Sequence, residues 1–125
     1  LTPEQKKMVM GVLITRADGA KANAEHGIAT LGAGSDFPQA FRWVGEYRAA
    51  LSVLVEQGKK LAVGFDWAGA EKALARGDDV LRRAADEWND GQDVARATPA
   101  LRDAMNLYVK ADAVIRSALK SAGVL

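Results

Sequence analysis

No cysteine occurs in this chain. Disulfides, thiolate catalysis and cysteine-ligated metals are therefore excluded, while the compartment stays open. Rings are scarce at 6% of residues, and much of the 49% apolar share is alanine. A core of Ala, Leu and Val with few rings favours closely approaching helices over a sheet. The net charge of +1 offers no global field to hold nucleic acid or an anionic membrane. The apolar stretch from Met8 to Ile14 is seven residues long, whereas a bilayer needs about 20. No signal peptide opens the chain, and Leu1 in place of methionine raises the expectation of a trimmed start.

Chemistry-bearing patterns are equally sparse. His26 is the only histidine, and on a helical wheel it lies far from the apolar stripe, beside Thr15, Gly19 and Ala22, as an exposed surface residue would. A haem bundle would draw on Met8 or Met10, but the last helix carries no histidine and no Cys-x-x-Cys-His site exists. Di-iron bundles need Glu-x-x-His, which is absent. Asp86 to Gly91 resembles the start of a calcium loop, yet Trp88 fills its third position and Ala97 its twelfth. Gly32-Ala33-Gly34 follows a helix and lacks the lysine of a phosphate loop. No catalytic, cofactor-binding or metal-binding residue is assigned, and no cofactor is expected.

What is present is helical punctuation. The three prolines stand at Thr2-Pro3, Phe37-Pro38 and Thr98-Pro99. Proline suits the first helical turn, where its missing N–H has no intrahelical partner. Thr2 and Gln5 also have capping-box spacing. The whole chain, 1–125, reads as one all-α domain. It is expected to be an antiparallel up-down-up-down four-helix bundle with helices at about 3–31, 37–63, 67–89 and 99–122. The first core stripe is Val9, Leu13, Ala17, Ala20, Ala24, Ile28 and Leu31. The second runs from Ala40 through Tyr47 and Leu54 to Ala62. The third contains Ala70, Leu74, Gly77, Leu81, Ala84 and Trp88. The fourth contains Leu101, Ala104, Tyr108, Ala111, Ile115, Ala118 and Ala122. Gly32 to Asp36 forms the clearest loop, Gly64 a stop, and Asp66 the cap of the third helix. Residues 8–15 also suit a buried strand.

Charges on the third helix pair at four-residue spacing: Asp78–Arg82, Asp79–Arg83, Arg82–Asp86 and Arg83–Glu87. That is the pattern of a solvated face laced by surface ion pairs. Helices 1 and 2 differ, because each has a second apolar face. Helix 1 shows Met8, Val12, Thr15, Gly19 and Ala22 opposite its core stripe. Helix 2 shows the small row Gly45, Ala49 and Val53, with Phe41 and Trp43 near one end and Arg42 at the rim. Trp and Arg are frequent interface anchors.

The functional expectation is a non-enzymatic helical interaction module: an adaptor, an inhibitor, or an assembly or structural component. Its partner is a protein or a second copy, and its binding residues are Phe41, Arg42, Trp43, Gly45, Ala49 and Val53. The alternative is a small-molecule-binding bundle or an enzyme with a cavity near Trp67, Trp88, Tyr47 and Tyr108. Asp112, at the edge of the fourth stripe, is then the charge of most interest. Nucleic acid ranks last and no membrane partner is expected. Heavy use of Gly, Ala, Arg and Val points to a GC-rich bacterial or phage gene, hence a cytoplasmic or virion-associated protein.

Overall fold

A computed structural model describes residues 1–32 and 36–125. Four helices account for most of the chain: α1 (Pro3–Ala29), α2 (Phe37–Leu61), α3 (Ala68–Asn89) and α4 (Val94–Ser121). Among the described residues there is no strand, and residues 8–15 are helical throughout. The expected loop at Gly32 to Asp36 falls largely on 33–35, outside the described residues.

The capping box of α1 forms as its spacing implies. Thr2 Oγ1 accepts from the Gln5 amide at 3.1 Å, and Gln5 Oε1 accepts from the Thr2 amide at 2.8 Å. Asp36 precedes α2, with Pro38 in its first turn. The third helix starts one residue later than expected, so Trp67 rather than Asp66 holds the N-cap position, without a side-chain cap bond; Asp66, one residue before it, accepts from the Ala68 amide at 2.9 Å. Gly64, Gly91 and Gly123 have positive φ where the chain leaves a helix, a conformation that glycine adopts without strain. Helices 1 and 2 end two residues early, at Ala29 and Leu61.

The start of α4 is the largest correction. Pro99 does not open the helix. The helix begins at Val94, capped by the Asp93 carboxylate on the Ala95 amide at 3.0 Å. Pro99 lies inside it, and Thr98 Oγ1 donates to the Val94 carbonyl at 2.6 Å in the turn before it. The early turn is secured from outside, since Arg96 bridges Glu87 and Asp90 at the end of α3.

α1 packs mainly on α2, and α3 mainly on α4; α2 also approaches α4 and α3, and α1 approaches α4, while the backbones of α1 and α3 stay apart. Two tight hairpins thus join through α2 and α4. Close approach is achieved over glycine. Gly27 sits against Ala40 and the Trp43 ring, Gly58 against the Trp67 ring, and Gly77 against the Tyr108 ring. The core follows the expected stripes with local changes. Met10 is fully buried where Val9 was expected, and Phe37, Met105 and Leu119 are additional core members.

Candidate functional site

The middle of the bundle contains a polar layer. Tyr47 on α2 donates its hydroxyl to Asp112 Oδ2 on α4 at 2.5 Å. Arg116, one turn later on α4, donates to Asp112 Oδ1 and to Asp18 of α1. The next residue on α2, Arg48, turns the other way. It grips Asp78 of α3 with two parallel bonds of 3.0 and 2.9 Å, and Tyr108 of α4 donates to the same carboxylate at 2.6 Å. All four helices enter this layer. Asp112 is 5% exposed, the one buried charged residue among those described.

Burial, together with donation to Asp112, pushes the Tyr47 hydroxyl far above the usual phenol range. Burial and donation to Asp78 do the same for Tyr108. For Asp78, burial is the largest single influence and raises its pKa. The bonds from Arg48 and Tyr108 together outweigh it and hold the carboxyl below the usual range. Both carboxylates have their oxygens occupied by donors from the chain. The layer therefore ties all four helices together through side-chain hydrogen bonds and ion pairs.

Of the rings expected beside a cavity, Trp67 borders an open cleft of about 330 Å³ and Trp88 one of about 240 Å³, and each also packs on a neighbouring element. Trp67 lies on Gly58 and Tyr108 on Gly77, and Trp88 stacks on Phe37 with centroids 4.7 Å apart. Among the described residues no group of three or more metal-ligating side chains assembles, and no helix is long and apolar enough to cross a membrane.

The acidic face of α3 is also organised differently from expectation. Of the Asp and Arg pairs at four-residue spacing, none is closed. Asp78 pairs with Arg48 of α2, Arg83 with Asp103 of α4, and Glu87 with Arg96 of α4. Arg82 contacts Asp79 at three-residue spacing. The reach of an arginine lets it bind a neighbouring helix; the Arg48–Asp78 pair is partly shielded from water, while Arg83 and Asp103 remain largely exposed.

The outer surface of α1 and α2 is the remaining candidate. Trp43 and Phe41 lie about 200° apart on the helix and do not form one anchor. Trp43 covers Gly27 and sits beside His26 of α1 at 6.5 Å, while Phe41 joins Phe37, 6.2 Å away, on the α3 side. Both are half-buried by the bundle itself. Arg42, Ala49 and Val53 point outward and are exposed, and Gly45 is partly covered.

Helix α1 is the more apolar surface. Met8, Val12, Thr15, Gly19, Ala22 and His26 recur at alternating spacings of four and three, and all are exposed. That is the spacing of a coiled-coil seam. Between Gln5 and Thr30 no Asp, Glu, Lys or Arg falls on this face. Met8 is 72% exposed and Val12 62%. Leu1, Met8, Val9 and Val12 at the start of α1, with Val53 and Val63 on or just beyond the facing part of α2, make up all but one of the exposed large apolar side chains; Val114 is the other. The contact of Gly27 with Ala40 and Trp43 sets the antiparallel register. It brings Val53 level with Ile14 to Ala17, and Lys60 level with Lys7 to Met10.

Comparison with known proteins identifies no relative: no family model, no curated protein and no solved structure matches the chain.

Proposed function

We propose that the protein is a non-enzymatic interaction module that receives an α-helix on the outward face of α1, with Ala49 and Val53 of α2 beside it. The observation that carries this reading is the uncharged, exposed seam of α1. A helix that serves only its own bundle has one apolar stripe and a charged back, as α3 has. A second stripe at coiled-coil spacing leaves apolar surface that a partner helix covers. The saturated carboxylates of the polar layer support a structural role for the interior and leave the exterior as the working surface.

The test is affinity capture from the native cell with wild-type protein and with Val12→Glu, together with mass by light scattering. Val12 is exposed, so the variant is expected to keep its circular dichroism and melting temperature. A partner or second copy held by the wild type and lost from the variant supports the reading. Identical recoveries and identical masses for the two proteins overturn it.

A further inference from the structure

The charges around the seam narrow the identity of what it binds. On the α4 side, Asp18 is held by Arg116, and Glu25 by Lys21 at 3.8 Å. The two acids on that side are therefore already paired. Lys7, Arg16 and Lys60 enter no ion pair among the described residues, and all three surround the Met8–Val12 half. Glu4 precedes the seam by a turn, and Glu46 lies level with Lys21 to Ala24, towards the other end. Glu56, level with Gly11 to Ile14, enters no ion pair either, so three unpaired cations against two unpaired acids, Glu4 and Glu56, border the most apolar part of the surface among the described residues.

A second copy fits this surface poorly. An antiparallel copy centred between Thr15 and Gly19 opposes Met8 with His26 and Val12 with Ala22, which suits their sizes. It also brings Arg16 beside Arg16, and Asp18 beside Asp18. Along α2 the outward charges run Arg42, Glu46, Glu56, Lys60. That order is palindromic, so the same pairing sets Arg42 near Lys60 and Glu46 near Glu56. A parallel copy stacks Gly19 on Gly19 and Ala22 on Ala22, leaving a gap between the backbones where knobs belong.

Building on the proposed function, we infer that the seam binds an amphipathic helix of another protein, whose apolar residues are flanked by Asp or Glu. Its acids would meet Lys7, Arg16 and Lys60, and its larger apolar side chains would enter over Gly19 and Ala22. Electrostatic complementarity of this kind governs partner choice and association rate more than raw affinity.

Two synthetic 21-residue helices test the inference. Both carry the same Leu and Ala seam; one has Glu and the other Lys at the flanking positions. Binding is read by fluorescence anisotropy at low and moderate salt. The Glu peptide is expected to bind roughly tenfold more tightly, as two or three rim pairs of opposite sign predict. Arg16→Glu with Lys60→Glu should abolish or invert that preference, and added salt should shrink it. Equal affinity for both peptides, or a wild-type dimer that Val12→Glu dissociates, overturns the inference while the interaction reading stands. Binding of neither peptide by a monomeric wild type overturns both.

Discussion

At the scale of single residues, glycines divide into two kinds that the sequence alone does not distinguish. A Cβ on Gly77 would overlap the ring of Tyr108, whose hydroxyl must reach Asp78. Gly11 has nothing within 4 Å of the same atom. Gly77→Ala is expected to lose about 1–3 kcal/mol to overpacking, more than its gain in helix propensity. Gly11→Ala should gain about 0.5–1 kcal/mol. Urea unfolding midpoints of the two variants, moving in opposite directions, check this. Trp67 exemplifies the cost of such packing: its indole Nε1 is buried with no hydrogen-bond partner among the described residues, a penalty of about 1–3 kcal/mol.

At the scale of elements, α4 records a conflict between two local signals. Thr98-Pro99 has the form of a helix start, but Asp93 is an equally good cap five residues earlier. The earlier start prevails because Arg96 then reaches Glu87 and Asp90, and because Ala97 is buried. Pro99 is left inside the helix without an N–H for the Ala95 carbonyl. Pro99→Ala is expected to raise stability by about 1–2 kcal/mol, the interior cost of proline reduced by the entropy it removes from the unfolded chain. Thermal denaturation measures the gain; a lower melting temperature would show that the proline holds the turn. Helix α1 posed another difficulty for sequence reading. With apolar residues on two opposite faces, the choice of Val9 or Met10 for the core was not decided by periodicity, and the bundle buries Met10. The other three core stripes were largely legible because each of those helices has one dominant apolar face.

At the scale of the whole molecule, fold class and helix number were readable in proline, capping and apolar spacing, whereas the polar layer was not. Asp112 stood out as an edge charge, but its partner Tyr47 comes from α2, and Asp18, which shares Arg116 with it, comes from α1; neither carries a sequence signal linking it to Asp112. The candidate surface was partly legible: the outward stripe of α1 follows from spacing, while Trp43 and Phe41 were drawn into the bundle by Gly27 and Phe37. The layer makes a measurable claim. Tyr47 and Tyr108 are the two tyrosines of the chain, and both have pKa values raised above the usual value near 10. Raised values favour folding fully below about pH 10, and that contribution fades as the pH climbs further. Absorbance titration at the tyrosinate band is expected to stay flat above pH 10 while the helices persist, and to rise together with the loss of helical circular dichroism. A tyrosinate signal near the ordinary phenol value in folded protein would remove both hydroxyls from the layer.

The pairing of α1 with α2 and of α3 with α4 has a kinetic consequence. Each pair joins helices adjacent in sequence, through connections spanning 30–36 and 90–93, so little loop-closure entropy is spent on most contacts. Bundles dominated by such local contacts fold in about microseconds to milliseconds. Each hairpin can collapse first, and the meeting of Tyr47 with Asp112 and of Arg48 with Asp78 then selects the correct docking of the halves.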